Sequence, residues 1–140
     1  MPIYRSIAET IGNTPTVELT RYAEKFELNA RIAAKLEYFN PAGSAKDRVA
    51  YAMISDAEKS GVLKLGATII EPTRGNTGIG LACIGAAKGY RVILTMPDTM
   101  SAERINLIKA YGAEIVLTDG KKGMSGAIEK ARELAAEIEG

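Results

Sequence analysis

From residue 67 onward the chain repeats one pattern three times: a short apolar run, a loop and a helix-like segment. Strands that alternate with helices are joined by right-handed crossovers, which place the strands in parallel and the helices on the faces of the sheet. The sequence therefore predicts an α/β domain with three layers, in which βαβ units build a parallel sheet. The predicted strands are residues 67–71, 90–95 and 113–118, and the predicted helices end near Lys88, near Ala110 and at the C-terminus.

Residues 1–40 differ from this pattern and predict two short strands. The first is Thr16-Val17-Glu18-Leu19, and the second spans 31–38, where apolar residues alternate with more polar ones. A helix follows and ends at Gly61. The last helix of the chain runs to Gly140 without a closing strand, which predicts a chain cut from a longer domain.

The composition excludes several kinds of chemistry. The 140 residues contain no histidine and one cysteine, so neither a Ser-His-Asp or Cys-His nucleophile nor a zinc site of the usual Cys/His kind can form. The 18 basic and 17 acidic residues give a net charge of +1, which predicts neither nucleic-acid nor membrane binding. The lone cysteine and the lack of a signal-peptide pattern predict a cytoplasmic protein. Chemistry must come from lysine, carboxylates, tyrosine, backbone amides or an organic cofactor, with no metal.

Lys46 occupies an unusual position for a lysine. Ser44 followed three residues later by Asp47 is a capping box, which makes Ser44 the predicted N-cap and Lys46 the second residue of a helix. The positive end of the helix dipole disfavours an ammonium there by ~0.3–1 kcal/mol, and the free amine is the form that makes Schiff bases. A surface lysine with its head in water is the alternative interpretation.

The loop at 71–80 joins the first strand of the sheet to its helix, and its sequence is Glu-Pro-Thr-Arg-Gly-Asn-Thr-Gly-Ile-Gly. Its glycines let backbone amides approach a ligand, and the helix N-terminus adds partial positive charge, so the sequence predicts an anion-binding loop. Thr73, Asn76 and Thr77 add side-chain hydrogen-bonding groups at the same rim. An ordinary βα turn, with small residues for helix–sheet packing, is the alternative.

Nucleotide binding is a second alternative for this loop. The glycine order G-x-x-G-x-G differs from G-x-G-x-x-G, although Asp98 lies about 20 residues after Gly78, as a ribose-binding carboxylate does. Asp98 follows Pro97 in a turn-like context, and the sequence contains no P-loop motif. A third interpretation joins both motifs across one cleft: Lys46 fixes an aldehyde cofactor as an imine, and the loop binds the carboxylate of an amino acid.

The two motifs together resemble the cysteine synthase (O-acetylserine sulfhydrylase) family of the β-family, or fold type II, pyridoxal-phosphate enzymes. The resemblance rests on Asn-Pro-Ala-Gly-Ser-Ala-Lys-Asp-Arg at 40–48 and Glu-Pro-Thr-Arg-Gly-Asn-Thr-Gly-Ile-Gly-Leu-Ala at 71–82. It continues through shorter motifs at 11–15, 34–37, 96–101 and 111–114. The chain is therefore similar, along nearly all its length, to the N-terminal portion of such an enzyme.

The resemblance implies a domain organisation and a reaction. Residues 1–40 would be N-terminal strands of the larger, cofactor-binding domain, and residues 41–140 would be the small α/β domain with the cofactor lysine and the substrate loop. The reaction would be a β-replacement dependent on pyridoxal 5'-phosphate (PLP), in which O-acetylserine and sulfide give cysteine and acetate. A homodimer, and the C-terminal tail of serine acetyltransferase as a partner, are also implied.

The resemblance also assigns roles to individual residues. Lys46 would bind the cofactor and later remove the substrate's α-proton, and Asn76 would hydrogen-bond the cofactor's 3'-hydroxyl. The loop that closes on the substrate carboxylate would consist of Thr73, Arg74, Gly75, Asn76 and Thr77. The family usually has serine at the position of Arg74, so this arginine would either select a more anionic substrate or block the site.

The family continues well beyond residue 140, and its glycine-rich phosphate cup and the partner of the pyridine nitrogen lie in that further part. A catalytically incomplete fragment, or a scaffold that binds a partner through the same loop, is therefore an alternative to an active enzyme. Gly120-Lys121-Lys122-Gly123 is interpreted as a solvated turn rather than a phosphate cup, and Cys83 as a packed core thiol.

Overall fold

The computed structural model describes residues 2–138 as five strands, five α-helices and three short 3₁₀ turns. In chain order the strands and helices are β1 (Thr16–Glu18), α1 (Thr20–Lys25), β2 (Ala33–Lys35), α2 (Lys46–Lys59), β3 (Thr68–Pro72), α3 (Asn76–Lys88), β4 (Arg91–Pro97), α4 (Ala102–Ala110), β5 (Glu114–Thr118) and α5 (Gly123–Glu137). The 3₁₀ turns are Ile7–Thr10, Glu37–Phe39 and Gly120–Lys122. The predicted run of the last helix to Gly140 extends past the described residues.

The main sheet is parallel, with strand order β3-β4-β5. Helix α5 covers one face of the sheet, whereas α3 and α4 cover the other, and α2 packs on α3. The predicted three-layer α/β architecture is therefore confirmed. The carboxyl ends of the strands and the starts of the following helices meet along one edge, where parallel sheets bind their ligands.

The central strand β4 is buried on both faces, and it forms the middle of the core. Leu94 and Met96 are fully buried and lie in the cluster that includes Ile108 of α4. Thr95 points to the opposite face, where its hydroxyl donates a hydrogen bond of 2.7 Å to the carbonyl of Ala127 in α5. The continuous apolar character of this strand is what a parallel sheet covered on both faces requires.

Helix α3 is enclosed between α2 and the sheet, and every residue from Gly78 to Gly85 is buried. A Cβ atom on Gly80 would lie 3.0 Å from the Cβ of Ala50 and 3.1 Å from the backbone oxygen of Lys46. Because only glycine leaves that space free, α2 approaches α3 closely at the turn that carries Lys46. This packing places the start of α2 beside the start of α3.

The N-terminal residues form an antiparallel ribbon, β1 paired with β2, that is separate from the main sheet. Both strands are short and mostly exposed, and the helix α1 between them was not expected from the sequence. The predicted strand at 31–38 is corrected: β2 covers only Ala33–Lys35, and Glu37–Phe39 is a 3₁₀ turn. The physical reason is that the Glu37 carboxylate turns toward Arg48 and Thr14 and hydrogen-bonds to both.

Two further findings concern what residues 2–138 lack. No helix in this range is long and apolar enough to cross a membrane. No group of three or more potential metal-ligating side chains of the kinds His, Cys, Asp and Glu lies together in the same range.

Candidate active site

Lys46 is the first residue of α2, at the edge of the sheet where the strands end. The capping prediction is corrected here by one residue, since the helix begins at Lys46 rather than at the residue before it. Ser44 still contributes, because its hydroxyl accepts a hydrogen bond of 3.1 Å from the Lys46 backbone N–H. The Lys46 side chain is exposed and forms no salt bridge with any residue of 2–138, so its amine is available to a ligand.

Asp47 holds the segment in front of Lys46 in place. Its side chain is fully buried, and its carboxylate accepts hydrogen bonds from the Ala42 backbone N–H at 2.6 Å and from the Ser44 hydroxyl at 3.4 Å. Burial raises the pKa of this carboxyl, while those hydrogen bonds act in the opposite direction. Asp47 thus positions the start of α2.

Thr73 organises the loop between β3 and α3. Its side chain is buried, and its hydroxyl oxygen accepts hydrogen bonds from the backbone N–H groups of Gly78 at 3.2 Å and Gly75 at 3.4 Å. A Cβ atom on Gly78 would collide with the Thr73 side chain, so glycine is required there. The sequence predicted a ligand-binding role for Thr73; the structure adds that its oxygen already caps the loop, which leaves its O–H free to donate.

One cavity of about 550 Å³ brings the predicted site residues together. It is lined by Lys46, Glu71, Pro72, Thr73, Arg74, Gly75, Asn76, Thr77, Arg104 and Met124. All six residues predicted for the site are in this set, although their chemical roles stay predictions. The volume lies within the range of ~300–1,000 Å³ that small-molecule sites occupy.

Four helices begin at this cavity. Lys46 and Asn76 are the first residues of α2 and α3, Arg104 lies in the first turn of α4, and Met124 lies in the first turn of α5. Each helix N-terminus carries unpaired N–H groups and a partial positive charge. The cavity is therefore suited to bind negatively charged groups.

The charged side chains of the lining strengthen this preference. Lys46, Arg74 and Arg104 are exposed, and none of them forms a salt bridge within residues 2–138. The one acidic lining residue is Glu71, which is half-buried, and burial raises the pKa of its carboxyl. Three cations against one carboxyl leave the cavity with a net positive charge.

Four lining residues were not predicted as site residues. Glu71 and Pro72 belong to the loop motif already quoted, whereas Arg104 and Met124 were missed entirely. They lie far along the chain from the loop, in α4 and α5, and the short motifs quoted from the sequence do not include them as ligand-binding residues. A signal was nevertheless available, because both residues fall in the first turn of a helix that follows a strand of the parallel sheet. Residues at such positions lie at the ligand-binding edge.

Other interpretations from the sequence have separate outcomes. Asp98, the candidate ribose ligand, accepts a hydrogen bond of 3.1 Å from the Gly120 N–H and lies outside the cavity lining, so the structure does not favour a nucleotide site.

The Gly120–Lys122 segment is a 3₁₀ turn, as expected of a local turn. Cys83 is buried in the core, and burial together with the Asp47 charge raises the pKa of its thiol, as suits a packed thiol.

Comparison with known proteins places this chain in one family. Residues 7–140 match the family described as pyridoxal-phosphate dependent enzymes, and the chain belongs to that family. A probable cysteine synthase of Bacillus subtilis (strain 168) is 58% identical over 138 residues, which cover 99% of this chain and 44% of that protein. The resemblance to cysteine synthases found in the motifs is thereby confirmed.

Solved structures agree with the sequence comparison. A cysteine synthase from Entamoeba histolytica superimposes with a TM-score of 0.91 at 53% identity, over 97% of this chain and 41% of that chain. An O-ureido-L-serine synthase also gives a TM-score of 0.91, at 48% identity, over 97% of this chain and 42% of that chain. The chain therefore spans less than half the length of the relatives it matches.

Proposed function

We propose that the chain forms the lysine and substrate-carboxylate half of the active site of a PLP-dependent cysteine synthase. The reaction would be cysteine biosynthesis by β-replacement, from O-acetylserine and sulfide to cysteine and acetate. The observation that carries the proposal is one cavity that contains both the Lys46 side chain, which forms no salt bridge within residues 2–138, and the Thr73–Thr77 loop. An amine that can hold an aldehyde and an anion-binding helix start are the two groups that such a reaction on an amino acid requires.

The lining residues fit PLP in both size and chemistry. The cavity of about 550 Å³ has room for the cofactor ring. Lys46 would hold the aldehyde carbon of the cofactor, and the Asn76 side chain at the start of α3 would donate a hydrogen bond to the 3'-oxygen. When bound, PLP supplies an electron sink that stabilises a carbanion at the substrate's Cα.

The chain's own residues would then orient the substrate and move its proton. Backbone N–H groups at Gly75, Asn76 and Thr77 would bind the α-carboxylate, helped by the partial positive charge of the α3 N-terminus. The Thr73 O–H would donate to the same carboxylate, because its oxygen is already engaged with the loop. The Lys46 amine, at the start of α2, would take the proton from Cα.

Trapping the cofactor on the 140-residue chain tests this proposal. PLP is added, the adduct is reduced with borohydride, and peptide mass spectrometry locates the attached cofactor. We expect attachment at Lys46 together with a visible absorption band, and we expect Lys46→Ala to lose both. Lys64→Ala is the matched control, since Lys64 is an exposed lysine outside the cavity, and it should keep both signals. Cofactor spread over surface lysines, or an unchanged band in Lys46→Ala, would contradict the proposal.

The domain assignment and the partners are also proposals. Apolar side chains before residue 40 are widely exposed, as Tyr22 at 53% and Phe26 at 52% illustrate, which supports packing of residues 1–40 within the larger domain. A homodimer is proposed from the family resemblance, and a cytoplasmic location from the lone cysteine and the lack of a signal-peptide pattern. A partner-binding scaffold is the second candidate function, in which the same loop binds the C-terminal carboxylate of the serine acetyltransferase tail.

A further inference from the structure

Two arginines that line the cavity bind no group of the substrate or cofactor in the reaction described so far. Arg74 follows β3 in the loop, and Arg104 comes from the first turn of α4, yet both line the cavity that contains Lys46. Both are exposed, and neither forms a salt bridge within the part of the chain that the structure describes. The α-carboxylate of a substrate needs only the N–H groups at the start of α3, so two guanidinium charges remain without a partner.

The charge and geometry of guanidinium groups identify the missing ligand. Arginine presents a planar fork of N–H donors that matches phosphate and carboxylate oxygens in pairs. The acetyl ester of O-acetylserine carries no charge and would leave both guanidinium groups unpaired. A phosphate monoester carries close to two negative charges at pH 7, so it balances both arginines at once.

We propose that Arg74 and Arg104 form a phosphate subsite, and that the preferred donor is an amino acid with a phosphate ester on its side chain, such as O-phospho-L-serine. This inference rests on the proposed function and deepens it by naming the substrate class. Arg74, from the loop after β3, and Arg104, from the first turn of α4, are then the residues that determine specificity. Arg104 also lines a second cavity, together with Asn76.

The reaction with this donor balances in the same way as the reaction with the acetyl ester. The Lys46 amine takes the Cα proton, the Cβ–O bond breaks, and its electron pair leaves on the oxygen of inorganic phosphate. Hydrosulfide then forms the new S–Cβ bond, its proton passes to the departing phosphate, and the proton taken by Lys46 returns to Cα. The products are the cysteine thiolate and hydrogen phosphate. The two arginines would stabilise the charge that develops on the departing phosphate.

Ligand binding to the 140-residue chain, before and after loading with PLP, tests the subsite. Calorimetry in phosphate-free buffer compares O-phospho-L-serine, O-acetyl-L-serine and inorganic phosphate, and NMR follows the Nε–Hε signals of the arginines. We expect O-phospho-L-serine to bind at least about tenfold more tightly than either of the other two probes. We also expect it to shift the signals of Arg74 and Arg104, and its affinity to fall as salt is raised.

Variants distinguish binding at the phosphate subsite from nonspecific attraction of the ligand to positive charge. Arg74→Ser and Arg104→Gln should each lose most of the preference for O-phospho-L-serine, and Arg74→Ser should restore a preference for O-acetyl-L-serine. Arg132→Ser, which removes an exposed arginine of α5, is the matched control and should keep the preference of the unchanged chain.

Three results would overturn the inference. They are equal affinity for the two amino acids, inorganic phosphate that binds as tightly as O-phospho-L-serine, and a preference that survives in Arg74→Ser and Arg104→Gln. None of these results depends on cofactor attachment at Lys46, which is measured separately. Failure of the subsite with attachment intact would leave the proposed function standing, whereas loss of attachment would remove the proposed function.

Discussion

The Glu37 carboxylate connects the segment before β1, which contains Thr14, to Arg48 of α2. It accepts hydrogen bonds from Arg48 at 2.9 and 3.1 Å, from the Thr14 hydroxyl at 2.8 Å and from the Asn40 amide at 2.9 Å. The Asn40 side chain in turn accepts a hydrogen bond of 2.9 Å from the Gly12 N–H. The motifs at 11–15 and 40–48 therefore meet through this one carboxylate.

The stability of the fold should depend on pH through Glu37. Hydrogen bonds from Arg48 and then Thr14 lower the pKa of Glu37 from an ordinary value of 4.5 to about 2. Because the folded-state pKa is lowered, this stabilisation is present above pH 4.5 and is lost as the pH falls toward about 2. We expect Glu37→Gln to have a lower melting temperature at neutral pH and a flatter dependence on pH in that window.

Thermal unfolding followed by circular dichroism between pH 2 and 7 measures this effect. Glu24→Gln is a suitable control, because Glu24 is exposed and its carboxylate makes no hydrogen bond within residues 2–138. Parallel pH profiles for Glu37→Gln and the unchanged chain would show that the Glu37 hydrogen bonds do not contribute as inferred.

At the scale of single residues, the sequence allowed part of the site to be predicted. Lys46 and Asn76 were identified because a capped helix start and a glycine-rich loop have a local physical meaning. The engagement of the Thr73 oxygen with Gly75 and Gly78 could not be predicted, because it depends on the exact path of the loop. The position of Arg104 depends on how α4 packs against the sheet, which no local pattern specifies.

At the scale of elements, the contact of α2 with α3 should be sensitive to one methyl group. Gly80→Ala places a Cβ atom 3.0 Å from Ala50 and 3.1 Å from the Lys46 carbonyl, so the two helices must separate. We expect a loss of about 1–3 kcal/mol in the free energy of unfolding, as for other overpacked sites. Urea denaturation measures this loss directly.

A double-mutant cycle with Ala50→Gly identifies the cause of that loss. Removing the Ala50 methyl group from the Gly80→Ala variant should recover part of the stability, which would appear as a coupling energy between the two positions. Alanine is otherwise favoured over glycine inside helices by ~1 kcal/mol. A Gly80→Ala variant that is more stable than the unchanged chain would therefore contradict the close packing.

The alternation of strands and helices was enough to predict the main sheet, but not the N-terminal elements. The three parallel strands follow from apolar runs of consistent length, and their ends move by only a residue or two. Helix α1 covers only Thr20–Lys25, which is too short to show a clear helical period. The shortening of β2 depends on the contact of Glu37 with Arg48, which comes from a later part of the chain.

At the scale of the whole molecule, the two sheets should differ in their local stability. Leu94 and Met96 of β4 are fully buried, with 0% exposure to solvent, whereas Val17 in β1 is 44% exposed. A segment with few buried side chains opens locally at a small cost in free energy. We expect the amides of the ribbon at 16–35 to exchange with deuterium much faster than those of β4.

Hydrogen–deuterium exchange with mass spectrometry tests this expectation within one sample, because peptides from β4 serve as the internal control. Exchange in the ribbon at the same rate as in β4 would mean that both open only by global unfolding. That result would contradict a lower local stability of the ribbon. A ribbon that gains protection in a longer form of the protein would agree with the proposed packing of residues 1–40 in the larger domain.

The glycine at the crossing of α2 and α3 also has a mechanical consequence. Lys46 is the first residue of α2, and Asn76 is the first residue of α3. The two helices pack closely against each other at Gly80, four residues after Asn76. We therefore expect the backbone of Lys46 and the first turn of α3 to move together. Any opening or closing of the cleft must therefore come from its other walls, since the separation between these two groups is set by the core.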